Sequence, residues 1–281
     1  MPFQTLISSA ELHALGAAPL LIDVSFDLSN TEAGETAYQQ SHLPGAHYLH
    51  LDRDLSSKKI DDEGRFKGRH PLPQREQFAL RMQQLGLNKG QQVVAYDGQG
   101  GMYAARLWWM LRWLGHAPVA VLDGGLQVWQ ASGGAMNSET PPSRVGDFQA
   151  AASLVEHVSA DQLQAQLGQV RLIDARAPER FRGEVEPLDN KAGHIPGASN
   201  RLFKNNLQAD GRFKPAEVLR AEWEALLAPF NSAQVVHQCG SGVTACHNLL
   251  AMQYAGLVGS QLYPGSWSEW SSDPTRPVAI G

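Results

Sequence analysis

Cysteine is scarce in this chain: Cys239 and Cys246 are the only two among 281 residues. Two cysteines cannot build a disulfide framework, and such low usage fits a reducing compartment. A long apolar run is also missing. The most apolar stretch, Leu107-Trp108-Trp109-Met110-Leu111-Arg112-Trp113-Leu114, contains an arginine and falls short of the ~20 residues that cross a bilayer. The opening residues, Met1-Pro2-Phe3-Gln4-Thr5, lack the basic region and apolar core of a secretory signal, so a cytoplasmic location without membrane attachment is expected. Basic charge is not in excess either. The net charge of −5 argues against nucleic acid, because phosphate binding needs a concentrated basic surface. What remains is ordinary globular material, 43% hydrophobic and 18% charged, of a length that suggests two domains.

The chain repeats itself once. Leu21-Ile22-Asp23-Val24 is echoed by Leu172-Ile173-Asp174-Ala175, and His42-Leu43-Pro44-Gly45-Ala46 by His194-Ile195-Pro196-Gly197-Ala198. Val93-Val94-Ala95-Tyr96-Asp97 matches Val235-Val236-His237-Gln238-Cys239, and Gly124-Gly125-Leu126-Gln127-Val128-Trp129 matches Gly265-Ser266-Trp267-Ser268-Glu269-Trp270. The order is the same throughout, with one net deletion of about ten residues in the second half. Each half alternates β-branched runs with helical patterns, which predicts an α/β fold: two tandem domains, each a mostly parallel sheet flanked by helices. Tyr103 to Leu114 reads as a helix with Leu107, Met110, Leu111 and Leu114 on one side. The polar, proline-containing stretch from Ser138 to Asp147 suits a linker. The expected division is residues 1–140, a linker at 141–155, and 156–281.

Cys239 stands where the apolar run ends and the loop Cys239-Gly240-Ser241-Gly242-Val243-Thr244 begins, before a helical pattern from Ala245 to Tyr254. A thiol between a strand and a helix start faces backbone N–H groups and the positive end of a helix dipole, surroundings that favour thiolate over thiol. A sulfur nucleophile beyond the carboxyl end of a strand is the chemical reading, and a small buried hydrophobe is the plain alternative. The glycines favour chemistry, because a loop wrapped round one sulfur needs backbone conformations that side chains obstruct. The first half has Asp97 at the equivalent position, so its own loop is expected to be chemically silent.

The paired His-x-Pro-Gly-Ala segments, the tandem repeat and the Cys239 loop resemble the two-domain rhodanese family of sulfurtransferases, over nearly the whole chain. Within that family the loop resembles the 3-mercaptopyruvate branch, whereas the thiosulfate branch places basic residues where Gly240 and Ser241 stand. The resemblance implies sulfur transfer through a Cys239 persulfide to a thiol acceptor, such as thioredoxin or a low-molecular-weight thiol, or to cyanide, with no cofactor or metal. It also implies that Gly240, Gly242, Val243 and Thr244 line the donor site. Ser241, His70 and Asp54 would form a hydroxyl–imidazole–carboxylate relay, with Asp52, Asp61 and Asp62 nearby as other candidates for the acid. Arg180 would grip the donor anion. A second arginine is expected nine positions later, where this chain has Asp189. Arg182 or Lys191 is the expected replacement, and thiosulfate remains an alternative donor.

Other residues carry less. His237, Cys239, Cys246 and His247 have no zinc-ligand spacing. Cys246 reads as packing rather than as a resolving thiol. Trp267 could wall a pocket, while Trp270 recurs as Trp129 and reads as core. His42 and His194 recur in both halves and read as turn organisers. A phosphatase of related fold would carry arginine at position 245, where this chain has alanine. A non-enzymatic persulfide carrier or docking module would use Cys239 without turnover of a small donor.

Overall fold

The structure, a computed structural model, describes residues 2–142 and 144–281. Met1, and Ser143 of the expected linker, lie outside the described residues. The chain forms two compact units. The first comprises Met1–Ser57, Leu72–Leu154 and Leu207–Phe213, and the second Lys58–Pro71, Val155–Asn206 and Lys214–Gly281. Each therefore contains a short segment from the other half of the sequence. Both segments carry an antiparallel bridge, Ile60 to Phe66 in one and Leu207 to Phe213 in the other.

The first unit holds strands β1 (Leu6–Ile7), β2 (Leu20–Asp23), β3 (His47–Tyr48), β4 (Val93–Tyr96) and β5 (Val119–Leu122), in the order β1-β5-β4-β2-β3. The second repeats this with β6 (Glu156–His157), β7 (Arg171–Asp174), β8 (Ser199–Asn200), β9 (Val235–Gln238) and β10 (Gln261–Leu262), in the order β6-β10-β9-β7-β8. Every strand pairing is parallel. Both central strands β4 and β9 are buried along their whole length, which is why they read as apolar runs without alternation. The order in which successive strands are added reverses between β2 and β4, and again between β7 and β9. The crevice beyond the carboxyl ends of such strands is where open α/β sheets bind ligands.

The strand following each central loop is reached through a buried helix: Ala104–Trp113 in the first unit and Thr244–Tyr254 in the second. The former runs where the sequence places it, but a single apolar face understates it. Residues 104–112 are all buried, Arg106 included, whose guanidinium reaches the Leu55 carbonyl. The Arg112 guanidinium lies 5.4 Å from the Trp108 ring, so its charge is held against an aromatic face. Among the described residues no helix is long and apolar enough to cross a membrane.

Candidate active site

Strand β9 delivers Cys239 into a buried position, 2% exposed. Its N–H donates to Ser266 Oγ at 3.1 Å, and that hydroxyl donates to the Tyr263 carbonyl at 2.9 Å. The carbonyls of Cys239 and Gly240 accept from the N–H groups of Trp267 and Ser268 at 3.0 and 2.9 Å. These two carbonyls are thus turned onto the start of the Ser266–Ser272 helix. Among the described residues the N–H groups of Gly240, Ser241 and Val243 meet no acceptor. Gly242 has φ +76°, and a Cβ there would lie 2.2 Å from the Pro264 carbonyl oxygen, so only glycine closes the loop. Ser266 itself holds φ +53°, the only described non-glycine residue with positive φ, and Gly125 occupies the matching place at +57°.

The first unit shows what such a loop holds. Asp97 follows β4 as Cys239 follows β9, and its carboxylate is fully buried. One carboxylate oxygen accepts from the N–H groups of Gln99 and Gly101 at 2.8 and 2.9 Å, the other from those of Tyr103 and Ala104 at 2.8 and 2.9 Å. The loop is therefore an anion cradle filled by its own side chain. Leu207 also closes on it, 2.9 Å from where a Gly100 Cβ would stand. The corresponding loop of the second unit carries Cys239 in place of the carboxylate.

Segment Lys58–Pro71 folds into the second unit and brings His70 to the loop. His70 Nδ1 and Ser241 Oγ lie 2.8 Å apart, both buried, across 171 residues of sequence. Lys67 pairs with Glu269 at 2.6 Å and the Arg69 N–H donates to Ser268 Oγ at 3.0 Å, fixing the segment to the helix that also holds the cysteine loop. The Gly68 backbone lies so close to the Gly265 carbonyl that a Cβ would stand 2.8 Å from its oxygen. Asp54 belongs to the first unit, where its carboxylate accepts from the His50 N–H and from Arg81 Nε, each at 2.8 Å.

Arg180 stands beside the loop: a Cβ on Gly240 would lie 3.4 Å from its Nη1. Nearer still is Arg69, whose Nη2 would be 2.7 Å from that Cβ. Sequence reasoning did not single out Arg69. Asp189, where a second arginine was expected, pairs with Arg69 and lies 3.4 Å from Arg180. The expected replacements are placed otherwise. Arg182 is a largely exposed residue in a two-point pair with Glu184 at 2.7 and 2.9 Å, and Lys191 Nζ reaches the Asp273 carbonyl at 3.4 Å. Neither approaches Gly240 as Arg69 and Arg180 do. The acid at 189 instead pairs with Arg69, which comes from another segment of the chain.

Cys246 is buried in the Thr244–Tyr254 helix, its sulfur 3.4 Å from the Gly242 carbonyl. His237 is fully buried, and burial followed by repulsion from Arg201 pushes its pKa down to about 3, so it stays neutral. Trp267 and Trp270 are both core, with the Arg176 guanidinium 4.8 Å from the Trp267 ring. His42 and His194 make matching contacts. Their Nδ1 atoms lie 2.6 and 2.8 Å from the carbonyls of Tyr38 and Phe181, on whose rings they stack.

Comparison with known proteins agrees with this geometry. The pattern of the rhodanese-like domain matches twice, at residues 8–132 and 159–273. A Pseudomonas aeruginosa protein named as a probable 3-mercaptopyruvate sulfurtransferase is 48% identical over 281 residues, covering 98% of both chains. The thiosulfate sulfurtransferase of Cricetulus griseus is 34% identical over 287 residues, covering 98% of this chain and 93% of its own. Among solved structures, the 3-mercaptopyruvate sulfurtransferase of Leishmania major superposes with a TM-score of 0.82 at 30% identity, over 96% of this chain and 74% of that one. Two copies of the domain, each with the same strand order, place this chain in the rhodanese-like family.

Proposed function

We propose that the protein is a sulfurtransferase that takes sulfur from 3-mercaptopyruvate through a Cys239 persulfide. The supporting observation is the pair of equivalent loops: one closed by the Asp97 carboxylate, the other presenting Cys239 beside amides of Gly240, Ser241 and Val243 that meet no acceptor among the described residues. In the first half-reaction Cys239 thiolate attacks the donor sulfur. The S–S bond forms as the C–S bond breaks, and the electron pair leaves on carbon as the enolate of pyruvate. The proton from the donor thiol ends on that carbon, giving pyruvate and an anionic persulfide. The His70–Ser241 contact of 2.8 Å offers a path for this proton. Amides of Gly240, Ser241, Gly242, Val243 and Thr244 hold the persulfide anion. In the second half-reaction cyanide takes the terminal sulfur as thiocyanate, or two thiols give a disulfide and sulfide, and the Cys239 thiolate returns.

Thiosulfate is the second reading, favoured by two guanidiniums at Gly240, which also suit a dianion. The physiological acceptor is proposed to be a thiol, thioredoxin or a small one, in the cytoplasm. Residues 1–140 and 156–281 are proposed as the repeats, with 141–155 linking them. The test compares kcat/KM for mercaptopyruvate and thiosulfate with one thiol acceptor, alongside mass spectrometry after donor exposure. Wild-type protein should gain one sulfur atom on Cys239, and Cys239→Ser should neither gain it nor turn over. Retained turnover in that variant overturns the assignment.

A further inference from the structure

We propose that Ser268 is a positioning residue that sets the His70–Ser241 contact by gripping the residue before each partner. Its backbone N–H donates to the Gly240 carbonyl at 2.9 Å, and its Oγ accepts from the Arg69 N–H at 3.0 Å. His70 and Ser241 come next in the chain, and their side chains stand 2.8 Å apart although 171 residues separate them. Two distant segments are therefore fixed to one residue, each at the peptide that carries a relay partner. The same hydroxyl donates to the Gly265 carbonyl at 3.2 Å, so its hydrogen and a lone pair are used together. Ser268 is buried, which keeps solvent from competing for these bonds.

The two units differ at this point. Gln127 stands in the first unit where Ser268 stands in the second, and its Nε2 donates to the carbonyl of Gly98, the counterpart of Gly240. In the second unit the backbone N–H of Ser268 holds that carbonyl, which leaves the hydroxyl for the Lys58–Pro71 segment. The segment is shaped to reach it. Gly68 takes φ +98°, and a Cβ there would lie 2.8 Å from the Gly265 oxygen and 3.1 Å from Ser268 Oγ, so a side chain would push residues 67–70 off the helix. Lys67 adds an ion pair at 2.6 Å to Glu269, the next residue of that helix. A proton passes between side chains only within hydrogen-bond reach, about 2.6–3.2 Å, so a small displacement of Arg69 is felt at His70.

The effect on turnover rests on the sulfurtransferase reading, whereas the placement of His70 does not, and the test separates them. Turnover is measured with mercaptopyruvate and with thiosulfate, which leaves no enolate to protonate. In Ser268→Ala the mercaptopyruvate/thiosulfate ratio of kcat should fall about tenfold, the equivalent of one lost hydrogen bond. Added to His70→Asn, the same change should lower the ratio by less than about twofold, a non-additivity that a general loss of stability would not produce. Lys67→Glu sets two carboxylates against each other at the half-exposed end of the segment and leaves the buried hydroxyl in place. It should lower the ratio about fivefold. Imidazole nitrogen resonances, with His70 assigned by its loss in His70→Asn, read the contact directly. The Nδ1 signal should move in Ser268→Ala towards its position in Ser241→Ala. Iodoacetamide alkylation of Cys239 reports that the loop is intact in each variant. A ratio within about twofold of wild type in both Ser268→Ala and Lys67→Glu overturns the proposal, as does a loss of about tenfold that persists in the His70→Asn background. In a protein that turns over neither donor, a moved Nδ1 signal keeps the positioning and removes the sulfurtransferase reading, and an unmoved one overturns both.

Discussion

Replacing Asp97 by alanine tests the claim that each repeat builds an anion cradle. Four amides now satisfied at 2.8–2.9 Å would lose their acceptor in a site without solvent exposure. Each unsatisfied buried donor costs about 1–3 kcal/mol, so a loss on the order of 5 kcal/mol or more is expected. That approaches the whole stability of a typical domain, about 5–15 kcal/mol. A small carboxylate should refill the space: formate at ten times its Kd returns about 1.4 kcal/mol. Asp97→Asn should fall between, because one oxygen still accepts while its NH2 meets two N–H donors head-on. Urea unfolding in formate and in chloride at equal ionic strength reads all three proteins. The mirror variant, Cys239→Asp, should be at least as stable as Cys239→Ala, since a carboxylate enters a loop in which the amides of Gly240, Ser241 and Val243 meet no acceptor among the described residues. A loss below about 1 kcal/mol in Asp97→Ala, less than one unmade hydrogen bond, refutes the reasoning. So does formate stabilising wild type and variant equally.

Ser241→Ala should lower kcat with mercaptopyruvate by about 100-fold, the low end of proton-transfer catalysis, while thiosulfate turnover changes little because no enolate is protonated. His70→Asn should behave alike, and equal losses with both donors would contradict the relay. Asp23 is buried, and desolvation raises its pKa from 3.8 to about 6. Its stabilising contribution is therefore complete below 3.8 and lost as pH rises through 6, leaving a buried charge at neutrality. Asp23→Asn should gain up to about 3 kcal/mol over wild type near pH 7.5 and progressively less towards pH 4, read from denaturant midpoints; a gain independent of pH removes that cause. Gly242→Ala, at φ +76° against the Pro264 carbonyl, should lose at least about 2 kcal/mol and most sulfur transfer. An unchanged melting temperature would show the loop to be less constrained than this geometry implies.

What the sequence revealed, and what it hid, follows from the range of each interaction. Val93–Tyr96 and Val235–Gln238 were legible as buried parallel strands because burial on both faces leaves an unbroken apolar run. The cysteine loop was legible because its glycines and its place before a helix are local. Arg69 was not. A Gly-Arg-His run looks like any polar turn, and nothing local says that residues 58–71 fold into the second unit. Asp189 misled for the same reason, because an acid at one position says nothing about a cation 120 residues away that binds it. Asp97 was half read. Its position marks the first loop as chemically silent, but its four amide contacts depend on the backbone path, which composition does not carry. The repeat supplies an internal comparison that neither loop gives alone. The same strand–loop–helix geometry closes on a carboxylate in one copy and presents a sulfur in the other, so the chemistry turns on the side chain at the end of β4 or β9. A different segment then lies on each loop, with Leu207 against Gly100 in the first and Arg69 and His70 against Gly240 and Ser241 in the second.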